Sequence, residues 1–60
     1  MENLIEYFNV DIWCDNVSKH YKQTIECNSM MDVSRLLLKF KPKRGYKVVK
    51  VVIEERVKFL

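Results

Sequence analysis

The stretch from Ser29 to Ile53 leaves the chain few ways to fold. Asn28 and Ser29 are both good helix N-cap residues, and Asp32, three positions after Ser29, makes a shortened relative of the capping box. Its charge also suits a helix N-terminus. Met30, Val33, Leu36, Leu37 and Phe40 then recur at spacings of three and four, which defines one helical face. Ser34, Arg35 and Lys39 fall opposite. The helix should stop at or before Lys41, because Pro42 disfavours the α conformation in the residue before it. Gly45, the single glycine, supplies a turn conformation other residues adopt only with strain. Tyr46 to Ile53 is β-branched and too apolar for a surface helix, so it reads as a strand. Met31 and Leu38 sit seven apart on a helix flank. They either widen the core stripe, as a helix on a sheet favours, or edge a partner surface.

Ahead of this unit lie two alternating runs. Phe8, Val10, Ile12 and Cys14 point one way, while Tyr7, Asn9, Asp11, Trp13 and Asp15 point the other. Residues 1–6 fit either a helix or a strand extension. Asp15 to Lys19 is turn chemistry. Tyr21, Gln23, Ile25 and Cys27 then form one face of a second strand, with Lys22, Thr24 and Glu26 on the other. Pairing Cys14 with Tyr21, Val10 with Ile25 and Phe8 with Cys27 puts both apolar sets on one side, as a shared core demands.

The third strand is apolar on both faces near its middle: Val49, Val51, Ile53, Val57 and Phe59 on one, Tyr46, Val48, Lys50 and Val52 on the other. Such strands are usually central or covered on both sides. Glu54-Glu55-Arg56 interrupts the pattern, and Val57 to Leu60 resumes it. With no turn residues there, a continuous strand carrying a bulge is preferred to a separate short one. The expected fold is α+β, a single domain over residues 1–60. Its β-β-α-β order gives a three-stranded antiparallel sheet of order 2-1-3 with the helix on one face. The other face would display Tyr7, Trp13, Val48 and Val52, and contiguous exposed apolar and aromatic surface usually marks an interface. A chain this short is marginal alone, and a twofold dimer is its commonest support.

Charge is distributed unevenly. Residues 1–15 hold Glu2, Glu6, Asp11 and Asp15 with no base, whereas residues 39–50 hold Lys39, Lys41, Lys43, Arg44, Lys47 and Lys50 with no acid. This basic turn is the alternative site, able to hold phosphates beside Phe40 and Tyr46 or to steer an acidic protein. Against nucleic acid, Asp11 and Glu6 flank Trp13 and Tyr7 and would repel a phosphate backbone.

No residue set reads as catalytic. His20 is the single histidine, beside a turn and outside any nucleophile motif, and is expected to be a solvated loop residue. Cys14 and Cys27 lack the close spacing of a structural zinc site and lie on the core face without opposing each other. Reduced, buried thiols are expected, with no metal and no cofactor. No apolar run approaches a membrane span, and Met1-Glu2-Asn3 lacks a signal peptide's basic start, so a cytoplasmic location is expected.

Val10-Asp11-Ile12-Trp13-Cys14-Asp15, Lys22-Gln23-Thr24-Ile25-Glu26-Cys27 and the helix opened by Ser29 resemble small β-β-α-β proteins encoded by bacteriophages and mobile elements. Acidic residues crowd the helix start in those chains, and Met30-Met31-Asp32 departs from that. The resemblance carries over no functional residue; it implies an accessory or host-directed protein. The reading is a non-enzymatic interaction protein, a homodimer joined through the open sheet face or a sheet edge, with Tyr7, Trp13, Val48, Val52, Met31 and Leu38 as interface candidates and a further protein partner. Nucleic-acid binding through the basic turn is the alternative.

Overall fold

The computed structural model describes residues 3–59; Met1, Glu2 and Leu60, which the charge and strand readings used, lie outside them. The order is β1 (Leu4–Asp15), β2 (His20–Cys27), α1 (Met30–Lys39) and β3 (Lys47–Phe59). The strands form one antiparallel sheet of order β2-β1-β3, with α1 packed against one face. Alternation fixed the hairpin register: Cys14 opposes Tyr21, Val10 opposes Ile25 and Phe8 opposes Cys27, as expected. Residues 4–6 resolve into strand, because each finds a partner near the end of β3.

Local chemistry sets the boundaries. Asn16 Oδ1 accepts from the N–H groups of Ser18 and Lys19 at 2.9 and 2.6 Å, which closes the β1–β2 turn. The Ser29 hydroxyl accepts from the Asp32 N–H at 3.2 Å, capping α1. Phe40 turns extended at the helix end, and its N–H still reaches the Leu36 carbonyl at 2.7 Å. Gly45 takes a φ of 86° inside a turn closed by the Tyr46 N–H on the Lys43 carbonyl, 2.9 Å.

The core is small. Val10, Ile12, Cys14, Cys27 and Val33 are buried, with Phe8, Tyr21, Ile25, Leu36, Phe40 and Tyr46 packed around them. Among helix residues only Val33 is fully buried. Met30, Met31, Leu37 and Leu38 stay exposed, so the buried stripe is Val33, Leu36 and Phe40. Met31 and Leu38 therefore do not widen the core.

β3 runs unbroken past Glu54-Glu55-Arg56. Its irregularity lies at Val49 instead, where Trp13 opposes Lys50 but Cys14 opposes Val48. The extra residue flips the parity beyond it, and Val48 shares the helix-side face with Cys14 rather than the open face. β3 is an edge strand, as the order 2-1-3 requires, although its apolar pattern resembles that of a central one. α1 approaches β1 and β2 and does not reach β3. The result is long and thin, 51 × 19 × 13 Å, with a radius of gyration of 13.9 Å. A compact 60-residue domain would measure about 10 Å.

Ile12→Ala should cost about 2–5 kcal/mol in a urea melt, since the side chain is fully buried between α1 and the sheet. Ser29→Ala should cost about 1 kcal/mol through the lost cap.

Candidate interaction surfaces

The open face is built from the outward residues of all three strands, and register dictates what meets there. Trp13 lies opposite Lys22 on one side and Lys50 on the other. Both ammonium groups sit over its ring, at 5.6 and 4.9 Å from the centroid. Lys58 lies 4.9 Å over Tyr7 and reaches across β1 to Glu26 at 3.3 Å. Thr24 donates to Asp11 at 2.6 Å, and Arg56 pairs with Glu54 at 3.1 Å. Arg56 is held above the ordinary guanidinium value, first by that bond to Glu54 and then by Tyr7. Tyr7, Trp13 and Val52 are half-buried within this polar lattice. The expected bare aromatic face is thus screened by the protein's own lysines.

The uncovered apolar surface lies on the other side of the sheet. Val51 opposes Ile12, Ile53 opposes Val10 and Phe59 opposes Leu4, so all belong to the face that carries α1. The helix stops short of them. Val51 and Ile53 are 38% and 40% exposed and Phe59 is 69% exposed, while Leu38 on the helix is 86% exposed. Sequence reasoning assigned Val51, Ile53, Val57 and Phe59 to a covered set and so missed them as a surface. A length comparison would have found them: ten helical residues span about 15 Å, and thirteen strand residues about 43 Å. β3 also presents an unpaired outer edge along its length.

The basic turn is divided by the fold. Lys39 ends α1, Lys41, Lys43 and Arg44 lie in the loop, and Lys47 and Lys50 belong to β3. Lys43 is committed locally: its ammonium lies 4.8 Å over the Tyr21 ring, and its N–H donates to the Tyr21 hydroxyl at 3.0 Å. Tyr21 meets Tyr46 edge-on, with centroids 5.0 Å apart. The neighbouring Cys14 thiol raises the Tyr21 hydroxyl above its ordinary value, and the Lys43 N–H opposes the shift. Lys39, Lys41 and Arg44 form no ion pair among the described residues.

An open cleft of about 370 Å³ lies between the two turns, lined by Asp15, Asn16, Val17, Gly45, Tyr46 and Lys47. It brings together one carboxylate and one ammonium, with no histidine or thiol on its wall. His20 is exposed at the start of β2. Cys14 and Cys27 are free and buried. Among the described residues no three His, Cys, Asp or Glu side chains gather as a metal group, and no helix is long and apolar enough to cross a membrane. Comparison with protein families, curated proteins and solved structures gives no match.

Burial, followed by the Asp32 charge, pushes the Cys27 thiol above its ordinary value of 9.0. The unfolded chain therefore releases this proton first, and the stability tied to it is complete below that value and lost as pH rises beyond it. Urea melts at pH 7 and pH 10 should show a steeper alkaline loss for the wild type than for Cys27→Ala.

Proposed function

We propose that this chain is a non-enzymatic interaction protein that works as a homodimer. The observation that carries the reading is the row of Val51, Ile53, Val57 and Phe59 on the helix side of β3, interrupted by Glu55, which α1 leaves open to water. Total accessible surface is 5027 Å², against about 4,200 Å² for a compact monomer of this mass. The excess reflects the elongated shape, and exposed apolar residues on the uncovered part of the sheet are what an association surface presents. The proposed role is to occupy a surface of another macromolecule, in keeping with the likeness to accessory proteins of phages and mobile elements. Sedimentation equilibrium from 1 to 200 μM tests it. A twofold mass at the upper end is expected, and a monomer throughout overturns the reading.

A second reading, nucleic-acid binding, is favoured by one observation: Lys39, Lys41 and Arg44 carry charge that no carboxylate of the described residues pairs. Titration of labelled RNA and DNA at 50 and 200 mM salt tests it. Phosphate binding through these groups should weaken steeply with salt and again with Lys41→Glu and Arg44→Glu together. Binding indifferent to salt and to both substitutions excludes this role for the turn.

A further inference from the structure

The sheet carries a helix over β1 and β2 only, so the layer above β3 is vacant on the same side. The helix itself is apolar around more of its circumference than it buries. Val33, Leu36 and Phe40 face the sheet, while Met30, Leu37, Met31 and Leu38 form a second stripe with nothing upon it. Asp32, Arg35 and Lys39 occupy the remaining arc, where Arg35 and Asp32 approach to 4.0 Å, and the small hydroxyl of Ser34 lies within the stripe between Leu37 and Leu38. One molecule thus offers both halves of a contact: an exposed helical stripe, and an exposed strand row of Val51, Ile53, Val57 and Phe59 with Glu55 among them.

We infer that the vacant layer is filled by α1 of a second copy, each helix laying its outer stripe on the other's β3 row around a twofold axis. This rests on the homodimer reading and names its geometry. The arrangement is isologous, since a surface joining the helix stripe to the strand row complements its own copy. Layer thickness agrees, because a helix on a sheet fills one layer of about 10 Å. The two exposed sets amount to on the order of 900 Å² of residue surface per copy, enough to supply most of the roughly 800 Å² each partner buries in a standard interface. The open face does not compete as this contact, since Lys22, Lys50 and Lys58 already lie over its aromatic rings. Pairing of two β3 edges is the competing arrangement, but it would leave the outer helix stripe, with Leu38, in water.

Sedimentation velocity on the full chain and two variants, each checked for folding by circular dichroism, decides between them. Leu38→Glu alters a side chain that contributes almost nothing to the fold, and Val51→Lys places an ammonium on the strand row. Each variant alone should dimerise about tenfold or more weakly. An equimolar mixture should recover a heterodimer, because the altered helix of one then meets the altered row of the other while the second contact stays native. Should Val51→Lys fail to fold, Val57→Lys takes its place. A wild type that dimerises while Leu38→Glu dimerises equally well overturns the helix-on-strand arrangement and leaves the homodimer standing. So does a mixture that shows no recovery when both variants are monomeric and folded. A monomeric wild type overturns both readings together.

Discussion

Coverage is the constraint on which this structure depends. A folded sheet needs its apolar face removed from water, and the one helix available is about 15 Å long beside a strand of about 43 Å. It lies over the hairpin, where Val10, Ile12, Cys14 and Cys27 form the core with Val33. Whatever lies beyond the helix's reach stays open, however apolar. The exposed valines of β3 are thus a consequence of geometry. They are no failure of the hydrophobic pattern.

The two faces of the sheet solve opposite problems. On the open face, large aromatic rings are kept in a charged environment by lysines lying across them, and those lysines are themselves tied to Glu26 or to the same rings. Such pairs are individually weak at a surface, around 0.5–1 kcal/mol. Their effect is to make a two-aromatic face compatible with water. On the helix side of β3, among the described residues, no lysine lies over the apolar row, which only Glu55 interrupts and Glu6 flanks. Apolar side chains there meet solvent directly.

Much of the fold could be read directly from residues. The parity of Phe8, Val10, Ile12 and Cys14 against Tyr21, Ile25 and Cys27 allowed one hairpin register that joins both apolar sets, and that register is present. Ser29 and Pro42 bracketed the helix for reasons of hydrogen bonding and sterics. The same register also implied that Trp13 would lie opposite Lys22, so the screening of its ring was half legible. The bulge was not. One additional valine in a run of valines carries no chemical mark, yet it moves Val48 to the opposite face. Lys50 was already placed on the face of Trp13 by alternation, but that its ammonium lies over the ring depends on the side chain's course across the sheet, which no sequence pattern marks.

By itself the sequence determined the elements, their order, the α+β class and the separation of an acidic first strand from a basic turn. These follow from periodicity, capping and turn chemistry, which act over a few residues. Tertiary structure alone decided which apolar residues remain uncovered: Leu38 and Met31 on the helix, Val51, Ile53 and Phe59 on the strand. That outcome depends on the finite size of a helix set against the length and order of three strands, and no local rule encodes it.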